Sequence, residues 1–242
     1  MESFQSQPVT QQSACERLAY VVKALATLHY SKLDELKRNE RQLNRPDFVW
    51  HFLVESFATM GSSRGYEGLI LDPVNYSKVT FESLSLSSAA DRLRILKETL
   101  HAAKVRMPDK KAEWLAENFD RIVAMGGPAA AKAGLLRNST RESKIEFLEQ
   151  FKGIGPKYAR NILMIVYHPD FRQSIAVDER IKSVSRELGL SFGSYDEEEQ
   201  FYVNVAARAG LNGWELDRLI YNFRNEVLTG LREMTAPTKS GS

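Results

Sequence analysis

Each thing this sequence lacks removes a class of protein. It has one cysteine, Cys15. A lone thiol closes no intramolecular disulfide and supplies no four-thiolate zinc or iron–sulfur site. The expectation is therefore a reducing, intracellular compartment: cytoplasm and nucleoid, or nucleus. The four histidines, His29, His51, His101 and His168, are scattered without HxxxH or HExxH spacing, so no metal site is expected. No apolar run approaches the roughly 18–20 residues that span a bilayer, which argues against a membrane partner. No run alternates with period two, so strands are not expected. Residues 1–13 are polar and lack the apolar core of a signal peptide; they and residues 235–242 are expected to be frayed tails. Charge of one sign is scarce too: 33 Lys and Arg stand against 31 Asp and Glu, for a net charge of +2. Global charge is thus weak evidence about a nucleic-acid partner.

The chain has 242 residues, 43% of them apolar, which is enough for one substantial domain or two small lobes. Nearly every segment has helical spacing. Between Ser13 and Leu43, Leu18, Val21, Val22, Leu25 and Leu28 recur at steps of three and four. Pro46-Asp47 opens a second helix, with Phe48, Phe52, Leu53, Ser56 and Phe57 along one side and Gly61 at its end. The stretch from Tyr66 to Leu86 is the least regular. Ser87 or Ser88 caps a helix to about Val105, and Pro108 sits in the first turn of the next. Pro128 to Leu136 is a short helix, and Ser139 to Glu142 has the form of a capping box opening a helix through Phe151. Two last helices cover about Asp196–Ala209 and Gly213–Leu228. The expected fold class is all-α, with about ten helices. Its expected form is a single domain, residues 14–234, of two interleaved helical lobes flanking a cleft, and a monomer.

The chemistry concentrates after Phe151. Between Lys152 and Arg186 there are seven Lys or Arg and three Asp or Glu. Gly153-Ile154-Gly155 forms a hairpin, and Pro156 takes the first position of a new helix, where its missing N–H costs nothing. Two glycines let the backbone approach another surface closely. The hairpin amides and the positive end of the new helix form an anion site. Beside Lys152 and Lys157 the natural anion is a nucleic-acid phosphate, a contact that positions a duplex without reading its sequence. A plain turn between packed helices is the alternative. Along the new helix, Tyr158, Ala159, Ile162, Leu163, Ile165 and Val166 are expected to pack, leaving Lys157 with Arg160, Asn161 and Met164 on the other face.

Two residues invite a chemical reading. Lys157 is either a nucleophilic amine, its ammonium form disfavoured by the positive helix end, or a further phosphate contact. Twenty-one residues on, Asp178 follows the apolar run Ile175-Ala176-Val177 at a helix start. It is either a cap alone or a carboxylate that also does chemistry. Ile181, Val184, Ser185 and Leu188 mark the buried stripe of that helix.

Phe151-Lys-Gly-Ile-Gly-Pro-Lys-Tyr-Ala159 and Val177-Asp-Glu-Arg-Ile181 together resemble the helix-hairpin-helix glycosylase superfamily, which includes endonuclease III and the 8-oxoguanine DNA glycosylases. The family pattern is L-x-G-[IV]-G-x-K-x-A followed about twenty residues later by V-D-x-[HR]-[IV]. The resemblance is strong over about residues 146–190; elsewhere only the helical layout and length agree. By position, Lys157 matches the family's catalytic lysine and Asp178 its aspartate. The resemblance implies a bifunctional DNA glycosylase and AP lyase of base excision repair acting on double-stranded damaged DNA. The target nucleotide is flipped out, Lys157 forms a Schiff base with the sugar, and elimination cuts the strand. No four-cysteine cluster is present, so an iron–sulfur member is excluded. No cofactor is implied, a monovalent cation at the hairpin being compatible with the pattern. A lysine-bearing, cluster-free chain points first to 8-oxoguanine, with an oxidised pyrimidine as the alternative lesion.

The resemblance also implies DNA contacts at Lys152, Gly153, Ile154, Gly155 and Arg160. In the turn after the second helix, Met60 or Ser62 is the candidate wedge, with Ser63 and Arg64 beside it; a helix cap and solvated loop is the alternative. Candidate walls of the base pocket are Trp50 and His51 from the early helix and Trp214, Asp217, Arg218 and Tyr221 from the last. Two other functions fit parts of the pattern: a non-catalytic helix-hairpin-helix DNA-binding protein, and an all-α scaffold with no salt-dependent DNA affinity.

Overall fold

The computed structural model describes residues 10–234. The expected tail at 235–242 and the first nine residues of the tail at 1–13 lie outside that range. Gln11, Gln12 and Ser13 already belong to a helix, whose start is capped by the Thr10 hydroxyl accepting from the Ser13 amide at 3.2 Å.

The described residues are all-helical, without a strand. The helices are α1 (Gln11–Leu28), α2 (Tyr30–Lys37), α3 (Phe48–Thr59), α4 (Pro73–Lys78), α5 (Phe81–Ser85), α6 (Ala89–Ala102), α7 (Pro108–Ala124), α8 (Pro128–Arg137), α9 (Arg141–Glu149), α10 (Pro156–Ile165), α11 (Glu179–Glu187), α12 (Tyr195–Ala209) and α13 (Gly213–Glu233). Short 3-10 turns cover Arg38–Asn44 and Pro169–Phe171, and a single π turn covers Tyr66–Ile70. The stretch expected to be least regular therefore holds the π turn, α4 and α5. Asp72 caps α4 and Thr80 caps α5, so two local side chains start helices too short to show a periodic stripe. The capping box at α9 pairs Thr140 with Ser143, not Ser139 with Glu142, because the helix starts one residue later than the motif suggests. Phe223 leaves helical geometry inside α13, which is kinked there.

The chain divides into two units. One is Arg41–Ile162; the other joins the chain up to Glu40 to the chain from Leu163 onward. In the second, α1 packs on α12 and α13, and α11 packs on α13. Leu18, Val22, Val205, Leu216, Leu219 and Ile220 are among the residues that carry this core.

In the Arg41–Ile162 unit, α3 is the central element. Ten of its twelve residues are buried, so it is enclosed on nearly every side and not on one side as its spacing suggested. The Trp50 ring meets Phe81 and Phe119 edge-on, and its indole N–H donates to the Val79 carbonyl at 2.9 Å. At the end of α3 the backbone carbonyls need donors. Lys111 of α7, 1% exposed, reaches them: its ammonium donates to the carbonyls of Phe57 and Met60, both at 2.8 Å. A cation at a helix C-terminus is favourable. Burial, helped by the charge of Arg106, nevertheless pulls the Lys111 pKa down to about 8.

The folded chain thus releases the Lys111 proton near pH 8, whereas the unfolded chain holds it to the ordinary lysine value of 10.5. Between those pH values the unfolded state binds more protons, so this residue's contribution to stability rises with pH, by at most about 3 kcal/mol in all. Denaturant unfolding of the wild type and Lys111→Met at pH 7.5 and pH 10 checks this. The stability difference should move in favour of the wild type at the higher pH; a pH-independent difference contradicts it.

Candidate active site

The hairpin lies in the Arg41–Ile162 unit. Phe151 and Ile154 are buried, and the Ile154 amide returns to the Phe151 carbonyl at 3.1 Å. Asn118 of α7, fully buried, braces the turn on both sides of one residue: its carbonyl accepts from the Lys152 amide at 2.7 Å, and its amide donates to the Lys152 carbonyl at 3.0 Å. The Lys152 side chain is exposed. The two glycines differ. Gly153 has φ of +81°, and a carbon added there would lie 2.6 Å from the Trp114 ring and 3.0 Å from Phe57. Gly155 has open space where a side chain would be, with nothing within 4 Å. Gly153 thus serves a close approach to the aromatic core, whereas Gly155 borders open space.

Pro156 opens α10, and Lys157 follows in its first turn. Lys157 is partly exposed, and its Nζ lies 4.0 Å from the centroid of the Tyr158 ring. The two faces of α10 differ from the spacing expectation. Met164 is fully buried and Arg160 is 6% exposed, while Tyr158 and Ile165 are only partly buried. The Arg160 guanidinium folds back to donate to the Pro156 carbonyl at 3.2 Å. Arg160 thus braces the start of its own helix, and buried Ile154 has only its backbone to offer.

The turn after α3 shares this unit and meets the hairpin at Phe57, whose ring lies against Gly153 and whose carbonyl is held by Lys111. Met60 caps α3 and is partly exposed; the Ser62 hydroxyl accepts from the Arg64 amide at 3.2 Å; Ser63 and Arg64 are exposed. Gly61, at φ of +86°, lies under the Arg106 side chain. The turn expected to hold the wedge is thus short, pinned at its base and open at its tip.

Asp178 lies in the other unit. It is the N-cap of α11: Oδ1 accepts from the amides of Arg180 at 2.8 Å and Ile181 at 3.2 Å. Oδ2 pairs with the Arg180 guanidinium at 3.1 Å, and the side chain remains 15% exposed. Arg180 in turn lies 4.2 Å over the ring of Tyr221, which is 48% exposed. The structure therefore gathers Asp178, Arg180 and Tyr221 on one surface of this unit.

The other residues expected to wall a base pocket are internal. Trp50 is fully buried in the centre of its unit. His51 is 6% exposed, with Nδ1 on the Tyr76 hydroxyl; burial, followed by the charge of Arg45, lowers its pKa to about 4, so it is neutral near pH 7. Trp214 is 1% exposed and donates its indole N–H to the Met164 carbonyl at 2.6 Å. Asp217 is 4% exposed and accepts from the Ala176 amide at 2.8 Å; Arg218 is 9% exposed and pairs with it. Of the six, Tyr221 alone is exposed. The Asn212-Gly213-Trp214 start of α13 serves structure: Asn212 and Glu215 form a capping box, and Gly213 lies against the backbone of Gln173 and Ser174.

Residues that spacing did not single out include Asn118, Lys111 and the acidic Glu199. The one signal in the sequence was a polar residue standing on an otherwise buried stripe. No group of three or more His, Cys, Asp or Glu among the described residues is arranged to hold a metal, and no described helix is long and apolar enough to cross a membrane.

The chain matches no protein-family model and no curated protein. Its fold is similar to that of the 8-oxoguanine DNA glycosylase of Thermotoga maritima. The identity is 16% and the TM-score 0.63, over 88% of this chain and 96% of that one. At that identity the likeness shows a shared fold.

The asymmetry of the two glycines is testable without DNA. Gly153→Ala should cost about 2 kcal/mol or more, because it combines an unfavourable φ with a clash against a packed ring. Gly155→Ala should stay within about 1 kcal/mol of the wild type. Thermal melts of the two variants check this; equal melting temperatures contradict it.

Proposed function

We propose that this chain is a DNA glycosylase with AP lyase activity, acting on an oxidised base in duplex DNA, with 8-oxoguanine as the first substrate to test. The observation that carries the reading is Lys157 in the first turn of the helix opened by the glycine hairpin, in a chain whose fold is similar to that of a DNA glycosylase.

In this reading the hairpin grips the DNA backbone. The open side of Gly155, the exposed Lys152 and the N-terminus of α10 present polar N–H and positive charge to a phosphate. The tip at residues 60–64 faces the duplex, with Met60 or Ser62 filling the gap left by the extruded base and Arg64 beside it. The Tyr221 face is the natural stacking surface for that base.

The chemistry needs a neutral amine and a carboxylate. The Lys157 nitrogen donates its lone pair to the sugar C1′. The C1′–N bond to the base breaks, and its electron pair leaves with the base, which takes up a proton. The nitrogen loses a proton and the sugar ring opens to give an iminium. Removal of a C2′ proton then expels the 3′ phosphate, and water hydrolyses the imine to free the enzyme. Asp178, already oriented by two amides and Arg180, offsets the positive charge that develops on the sugar and takes part in the proton transfers.

Borohydride reduction of the iminium tests this. Incubation with duplexes carrying a panel of oxidised bases should trap a covalent adduct, first with 8-oxoguanine. The adduct should be absent for Lys157→Ala and for Lys157→Arg, the latter keeping salt-dependent duplex affinity. Asp178→Asn should slow base release by about 100-fold. An untrappable wild type across the panel, or an undiminished adduct from Lys157→Ala, removes the reading.

A further inference from the structure

Resting on the glycosylase reading, we infer that Tyr195 and Glu199 of α12 are positioning residues that set where the Asp178 carboxylate stands. The chain reaches Asp178 through Ser174–Val177, a buried segment that belongs to no helix and pairs with no strand. Buried backbone amides without partners are costly. Here three consecutive amides are satisfied by side chains: Ile175 donates to Glu199 Oε1 at 3.1 Å, Ala176 to Asp217 Oδ1 at 2.8 Å, and Val177 to the Tyr195 hydroxyl at 2.9 Å. The same hydroxyl donates to the Ile175 carbonyl at 3.1 Å, so one oxygen spans two peptide groups immediately before Asp178.

Tyr195 and Glu199 are four residues apart, hence on one face of α12. Their neighbours on α12 hold the other side of Asp178. Glu198 accepts from the Ser185 hydroxyl at 2.7 Å, and the Tyr202 hydroxyl donates to the Ile181 carbonyl at 3.0 Å, both on α11. Helix α12 thus fixes the segment entering Asp178 and the helix leaving it. A carboxylate that must meet developing charge on a sugar works only within a narrow geometry, and a misplacement of about 1 Å can cost 100-fold in rate. Apolar residues in this segment's surroundings would leave its amides unsatisfied. What α12 supplies instead is a set of directional contacts whose geometry ends at Asp178.

The test measures single-turnover base release and duplex affinity together. Tyr195→Phe removes one oxygen and with it the bonds to the Val177 amide and the Ile175 carbonyl; it should slow base release about tenfold and leave the dissociation constant within about twofold. Glu199→Leu should do the same, while Glu199→Gln, which keeps an oxygen facing the Ile175 amide, should restore the rate. The deciding measurement is a double-mutant cycle: in the Asp178→Asn background, Tyr195→Phe should cost almost nothing further, because it acts through the residue already removed. Should Glu199→Leu fail to fold, Tyr195→Phe carries the test alone. An active wild type in which Tyr195→Phe is harmless, or in which its loss multiplies in full with that of Asp178→Asn, overturns this inference and leaves the glycosylase reading standing. An inactive wild type overturns both.

Discussion

A backbone amide or carbonyl left unpaired by a helix must still find a partner, and among the described residues of this chain no strand provides one. Side chains do it instead, at each place where function is proposed. Asn118 grips both polar groups of Lys152 in the hairpin. Lys111 answers two carbonyls at the end of α3, where the exposed turn begins. Glu199, Asp217 and Tyr195 answer the three amides before Asp178. These contacts are also what make irregular backbone rigid. A loop stitched to buried polar side chains has the fixed geometry of a helix without its repetitive structure, which is what a site needs from a segment that presents chemistry.

Both residues assigned to chemistry stand at helix starts. Lys157 is in the first turn of α10 and Asp178 caps α11. Helix N-termini carry unpaired amides and partial positive charge. That environment suits a phosphate beside the hairpin and a carboxylate on α11, and it works against a charged ammonium. Asp178 is thus a cap and, in the proposed function, a reactive group: the two roles that its position leaves open are compatible, because one carboxylate oxygen takes the amides while the other faces Arg180.

Much of the architecture was legible from local signals. Ser88, Asp178 and Asn212 cap the helices they precede, Pro108 and Pro128 open theirs, and the buried stripe of α11 is the one its spacing marks. These features depend on residues three or four apart. What could not be read was the fate of polar and aromatic residues whose partners are distant in sequence. Trp50 and His51 looked available for a pocket because nothing in α3 says that packing surrounds it on all sides. Arg160 looked like a surface cation, and its turn back to Pro156 depends on burial that spacing does not encode. Glu198 and Glu199 belong to the acidic run 196–199, yet both are buried against hydrogen-bond donors. Lys111 and Asn118 interrupt an apolar stripe, and only tertiary partners turn such interruptions into braces.

The division of the chain has a consequence for how it is made. The unit Arg41–Ile162 is continuous in sequence, whereas the other is built from both ends. Helix α1 leaves the ribosome well before the helices it packs against, α12 and α13. During synthesis the apolar side of α1, with Leu18 and Val22, has to wait while the entire intervening unit emerges and folds. The time for which that side of α1 goes uncovered therefore includes the translation of everything from α3 to α12.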